Sequence, residues 1–301
     1  MSTTSPAPEW TRRHERGSLP LVRFMVWLSV VIGRRASRVL LRVIAFYFFA
    51  SGGAARRATR DFLARCLGRK PTLAEQHRTF LTFASTIHDR VYFLKGRFDL
   101  FEIEVHGKDV FGAEGALLMG GHHGSFEAMR ACGHHLAHRE VAMAMYEANA
   151  QKVRAALSAI APDASRDIVN LGRVDSMIEL TARLEGGALV GVLADRTFGP
   201  EATIDIDFLG APAAFPTGPM RMAAALRRRV YFMAGLYRGG NRYEMHFEPL
   251  ADFTALDGIT RAERDLRVRE AIAAYARRLE HYARAAPDNW FNFFDFWAHR
   301  Q

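Results

Sequence analysis

Two short, wholly apolar runs constrain this chain more than any other feature. "GALLMGG" (115–121) is bounded by glycines, and "ALVGVLAD" (188–195) ends on an acid. A strand apolar on both faces is buried on both faces, as in a parallel sheet covered by helices. From residue 100 onward, strand-like and helix-like stretches alternate around these runs. "FEIEVHG", "EVAMAMY" (140–146), "RDIVNL", "TIDIDFLG", "RVYFMAGLYR" and "RYEMHFEPL" read as strands. "NAQKVRAALSAIA", "VDSMIELTARLEGG", "TGPMRMAAALRR" and the long "TRAERDLRVREAIAAYARRLEHYARAAP" read as helices. The expected architecture is α/β, with a mostly parallel central sheet flanked by helices. Functional groups are expected at the carboxyl ends of its strands.

The N-terminal third is different. Residues 1–17 are polar and expected to be loosely packed. "LPLVRFMVWLSVVIG" (19–33) and "VLLRVIAFYFFASGG" (39–53) are apolar and separated by the basic "RRASR". Each falls short of the ~20 residues of a spanning helix, and each carries an arginine. Two helices lying against a bilayer surface suit this pattern, with Trp27, Phe46, Tyr47, Phe48 and Phe49 at the interface. A single tilted span over 19–33 is the alternative. Helices are also expected over 52–70, ending near Gly68, and over 72–96. The expected organisation is therefore 1–17, a membrane-associated segment 18–53, and one catalytic-size domain 54–301.

The net charge is +9, and the lysines are only Lys70, Lys95, Lys108 and Lys152, so the positive charge is mostly arginine. Such a surface suits an anionic membrane or an acidic carrier protein. No nucleic-acid-binding motif accompanies it. Cys66 and Cys132 fit buried free thiols. His134 and His138 in "GHHLAH" share a helical face but lack a third ligand or an HExxH pattern, so no metal site is expected.

The sharpest local pattern is "GGHHGSFEAMR" (120–130). His122 and Glu127 are five residues apart, about 140° around one helix, and would not meet there. Here a strand gives way to a helix, and across that corner the two can converge. Gly120, Gly121 and Gly124 give the corner its freedom, and Ser125 is placed to cap the helix. His123 points opposite to His122 if the chain is extended, so spacing alone does not choose between them. An imidazole held by a carboxylate can take a proton from an attacking alcohol.

"HHGSFE" resembles the H-x4-D/E motif of the lysophospholipid acyltransferase superfamily, and more closely its lipid A late acyltransferase branch. The resemblance implies His122 as catalytic base, oriented by Glu127, with Gly124, Ser125 and Phe126 at motif positions beside substrate. "GALVGVLADRTFG" is similar to a second family segment and places Asp195 on its acidic position, followed by Arg196 where glutamine is usual. "FPTG" (215–218) has Thr217 in place of a glutamate and reads as a turn capping the next helix. "PDNWFNFF" (287–294) lies where the family has a Trp-rich segment, without its arginine. The resemblance implies a glycerolipid acyltransferase-like fold. It implies transfer of an acyl chain from an acyl carrier protein (acyl-ACP) or CoA thioester to a membrane lipid hydroxyl, without metal or other cofactor. The expected location is the cytoplasmic face of an inner membrane. Arg154, Arg196 or helix N–H groups are candidates to stabilise the oxyanion. The other readings are a thioesterase or lipid hydrolase using the same pair, for which no G-x-S-x-G elbow is present, and a non-catalytic lipid-binding protein.

Overall fold

The computed structural model describes residues 19–130, 139–146, 167–172, 174–196 and 202–297. The strands are β1 (Glu102–His106), β2 (Ala116–Gly120), β3 (Val141–Tyr146), β4 (Ile168–Leu171), β5 (Leu189–Leu193), β6 (Thr203–Phe208), β7 (Ala211–Pro216), β8 (Arg229–Tyr237) and β9 (Arg242–Asp252). The helices are α1 (Leu19–Ser51), α2 (Gly53–Leu67), α3 (Leu73–Leu94), α4 (described over 126–130), α5 (Val174–Glu185), α6 (Gly218–Ala225) and α7 (Arg261–Ala285). Seven strands form one sheet in the order β1-β9-β8-β2-β5-β3-β4. Only the β8–β9 pairing is antiparallel. The expected mostly parallel sheet is therefore present, and the two apolar runs, β2 and β5, lie side by side at its centre.

Alternation along the central strands divides the core into two layers. Leu117, Met119, Val190 and Val192 face Ile272 and Leu279 of α7 and Leu180 of α5. Leu118, Leu189 and Met233 face the other way, with Phe93 of α3 and Met129 of α4. Thr72 with Glu75 and Thr260 with Glu263 form capping boxes that start α3 and α7. Gly68 closes α2 in the left-handed conformation at φ 64°. Cys66 is a buried free thiol.

The hairpin β6–β7 stands apart from the main sheet. β7 is not evident in the sequence because Pro212 and Pro216 read against a strand; both are tolerated in a two-stranded ribbon. The cap expected of Thr217 is not formed. Its N–H and hydroxyl donate to the Ala202 carbonyl at 2.9 and 3.0 Å, and Pro219 opens α6 instead.

α1 is helical over 33 residues except at Gly33, whose φ 79° breaks it in two. The basic "RRASR" is thus the start of the second half rather than a linker. Arg34 and Arg38 turn inward, onto Asp89 of α3. Arg34 Nε lies 2.7 Å and Arg38 2.5 Å from the Asp89 carboxylate, which is fully buried. Tyr243 of β9 donates its hydroxyl to the same carboxylate at 2.8 Å. The Arg34 guanidinium also covers the Phe101 ring at 4.9 Å, and Arg38 that of Tyr237 at 5.4 Å. The opposite side of α1 exposes Trp27, Val31, Val39, Val43, Phe46 and Tyr47. Among the described residues no single helix is long and apolar enough to cross a membrane; Val31–Ser51 with Gly53–Leu67, bent by 92°, reaches that length and composition only as a pair.

Removing one member of a buried ionic cluster leaves the others desolvated and unpaired. Asp89→Ala is therefore expected to lower unfolding free energy by about 3 kcal/mol or more, read by urea denaturation. A loss under about 1 kcal/mol would mean that the cluster does not hold α1 to the sheet.

Candidate active site

β2 ends at Gly120, and Gly121 follows it. A Cβ on Gly121 would stand 2.9 Å from Leu279 of α7 and 3.4 Å from the Asp195 carboxylate. The chain does not turn immediately. His123 bridges to Trp290, and Gly124 bridges to Gly235 of β8. Gly124 has φ 76°, and a Cβ there would meet the Gly235 carbonyl at 1.9 Å, a position only glycine fills. Ser125 N–H donates to that same carbonyl at 2.7 Å. The Ser125 hydroxyl then accepts from Ala128 N–H at 3.2 Å, the expected helix cap.

The register of β2 on β5 decides the partner of His122. Gly120 lies opposite Leu193 at the end of the ladder, and His122 and Asp195 each follow two residues later. Asp195 Oδ2 accepts the His122 backbone N–H at 2.9 Å, and Oδ1 lies 2.7 Å from His122 Nδ1. The Trp290 indole N–H donates to Oδ2 at 3.3 Å. An ionised carboxylate only accepts, so Nδ1 carries the proton and Nε2 keeps the free lone pair. Burial would raise the Asp195 pKa, but His122 and then Arg196 outweigh it and hold the group well below the usual carboxylate range. The His122 pKa is lowered, first by burial and then by Arg196, against the opposing pull of Asp195. The His122 side chain is 26% exposed, whereas His123 is buried. Burial drives His123 down to about 4, with the Ala286 backbone opposing. The two histidines thus divide as alternation requires: one at the surface of the site, the other packed beneath it.

Glu127 is not the partner of His122. It is buried at 2% exposure, with Arg130 Nε at 3.2 Å and Arg90 Nε of α3 at 3.6 Å; Arg130 reaches on to Asp167 at 2.5 Å. The reason is the late turn. The bridges at 123 and 124 delay the start of α4 to residue 126, and Glu127 in its first turn faces Arg90 of α3. The expected His122–Glu127 contact is replaced by His122–Asp195.

The other expected site residues separate by role. Phe126 lies against the sheet, and a Cβ on Gly191 would meet its ring at 2.7 Å. Phe126 and Met129 line a cavity of about 230 Å³ with Leu118, Leu189 and Met233, which Arg130 and Lys108 border. Gly124 and Ser125 act through backbone and cap. Arg196 donates from Nε to Asn292 Oδ1 at 2.7 Å and to the Phe291 carbonyl at 2.8 Å. Burial lowers its pKa to about 10, opposed by Asp195, so it remains a cation. Arg154, Cys132, His134 and His138 lie outside the described residues. Asn289 also braces the site: its side chain accepts from Tyr237 N–H at 2.7 Å and donates to the Tyr237 carbonyl at 3.1 Å, closing the end of β8.

A carboxylate-held imidazole thus stands at the carboxyl ends of central parallel strands on an α/β scaffold. The chain belongs to the bacterial lipid A biosynthesis acyltransferase family, whose model matches residues 9–300. It is accordingly an O-acyltransferase of lipid biosynthesis. Among solved structures, the 1-acyl-sn-glycerophosphate (LPA) acyltransferase PlsC from Thermotoga maritima is similar at 15% identity and a TM-score of 0.38, over 82% of this chain and 99% of that one. No curated protein sequence matches the chain significantly.

The site predicts its own titration. Followed by NMR, the His122 imidazole is expected to titrate below pH 6.5. Because Asp195 pulls the pKa up, Asp195→Asn is expected to shift the midpoint lower still. A midpoint that rises in Asp195→Asn would contradict the pairing.

Proposed function

We propose that the chain transfers an acyl group from an acyl-ACP or acyl-CoA thioester to a hydroxyl of a membrane lipid, with His122 as general base and Asp195 as the residue that orients it. The observation that carries this is the 2.7 Å contact of His122 Nδ1 with buried Asp195, in a partly exposed ring. Nε2 takes the proton of the acceptor hydroxyl as its oxygen attacks the thioester carbonyl. The tetrahedral oxyanion collapses, the C–S bond breaks, and the imidazolium returns its proton to the departing thiolate. Asp195 holds the tautomer and stabilises the imidazolium throughout. Arg196, half-buried and cationic beside this pair, is the candidate for oxyanion stabilisation. The cavity behind Phe126, apolar along Leu118, Leu189 and Met233, suits the acyl chain. Glu127 contributes by holding Arg90 and Arg130 rather than by orienting the base.

The pH dependence of kcat/KM tests this. A base must be neutral, so activity is expected to fall as pH drops through a His122 pKa below 6.5 and to be flat above it. His122→Ala is expected to lose about 10²–10⁴ in rate. Asp195→Asn is expected to lose activity and move the acid limb to lower pH; Glu127→Gln leaves that limb in place, whatever it costs in rate. A limb that follows Glu127 and ignores Asp195 would return the orienting role to the glutamate. Running the assay with and without lipid acceptor separates transfer from thioester hydrolysis.

The proposed location is the cytoplasmic face of the inner membrane, reached through the outer side of α1. Phe46 and Tyr47 are 61% and 60% exposed there, and Arg56, Arg57 and Arg60 of α2 follow directly in the chain and are also exposed. Apolar contact and attraction to anionic headgroups then act together. The protein is expected to co-float with vesicles containing phosphatidylglycerol, and Phe46→Ser/Tyr47→Ser to reduce the bound fraction several-fold. Equal flotation of this variant, with its fold retained by circular dichroism, counts against α1 as the docking surface.

A further inference from the structure

The edge of the sheet farthest from β4 carries a second cluster of ligand-type side chains. β1 runs parallel to β9 with Glu104 opposite Glu244 and His106 opposite His246. The two-residue strand period puts all four on one face. That face is the one α7 covers, with the Tyr282 ring 4.9 Å from His246. The two imidazoles stack 4.6 Å apart and 11° from parallel. His106 Nε2 lies 3.2 Å from Glu104, and His246 Nε2 lies 3.4 Å from Glu244. Arg238 holds Glu244 at 2.7 Å. One ligand atom from each of His106, Glu244 and His246 falls within 4.8 Å of the others, the one such group found among the described residues.

Rungs of like groups, imidazole beside imidazole and carboxylate beside carboxylate, repel when charged. A bound cation turns that repulsion into attraction. Two imidazoles and a carboxylate are borderline donors; they favour zinc and its neighbours over magnesium or calcium.

We propose that His106, Glu244 and His246 bind one divalent transition-metal ion of the zinc class, which staples edge strand β1 to β9. Bond lengths of about 2.0–2.2 Å to nitrogen and oxygen require the three donors to draw closer than they stand. His106 and Glu244 are partly exposed and have room to rotate. The site lies two strands from β2 and takes no part in acyl transfer.

The test uses the full chain stripped of metal, titrated with Co²⁺ by visible absorption and then with Zn²⁺ in competition. One equivalent is expected to bind, Zn²⁺ to displace Co²⁺, and Zn²⁺ to raise the thermal midpoint by several degrees. His106→Ala and His246→Ala are expected to abolish uptake and the midpoint shift, and His122→Ala to leave both intact. His106→Gln, closer in size, serves if the alanine variant does not fold. Absent uptake, uptake that survives both edge variants, or uptake lost in His122→Ala would overturn the assignment.

Discussion

β2 and β5 run parallel with Gly120 opposite Leu193 at the end of the ladder, and His122 and Asp195 each follow two residues beyond it. That backbone pairing is what the site depends on. Parallel ladders hold register through evenly spaced hydrogen bonds along both strands, and both runs are buried on both faces, so a slip would misplace an entire row of apolar side chains. The 2.7 Å contact between His122 and Asp195 is then inherited from the sheet rather than found by two flexible loops. Sheet packing gives the imidazole its tautomer and its orientation before any substrate arrives.

A ring of backbone contacts locks the strand end in place. The His122 carbonyl accepts from Phe291 N–H at 2.8 Å, and the Gly124 N–H donates to the Asn289 carbonyl at 2.8 Å. Trp290 lies between these two residues, buried at 1% exposure against Phe62 and Phe208, and donates to Asp195. The C-terminal segment therefore acts as a third strand-like wall across the ends of β2 and β8. Its aromatic richness is explained by this packing, and its asparagines by closing β8 and bracing Arg196. Gly124 belongs to the same wall, because only a residue without Cβ lets 124 approach the Gly235 carbonyl.

The sheet was legible from the sequence because fully buried strands and helix periods leave direct marks: apolar runs at 115–121 and 188–195, and amphipathic spacing over α3 and α7. β7 was hidden by two prolines, which argue against strands in general but not in an isolated hairpin. At the site, the histidine was legible and its partner was not. Glu127 is near in sequence, and the eye follows the local motif. Asp195 is 73 positions away, and only strand register relates it to His122. A signal was present nonetheless: two apolar runs that each end in a titratable residue, one a histidine and one an aspartate, are aligned by pairing in parallel. The inward turn of Arg34 and Arg38 had no local mark at all, since Asp89 sits in an unrelated helix.

Two buried carboxylates flank the start of α4, and they have different partners. Asp195 sits between an imidazole and Arg196, which hold its carboxyl well below the usual carboxylate range. Glu127 sits between Arg90 and Arg130, cations that do not change protonation, and in the first turn of α4, where the helix dipole favours an anion. Glu127 thus ties α4 to α3, while Asp195 ties the ends of β2 and β5 to the C-terminal segment through His122 and Trp290.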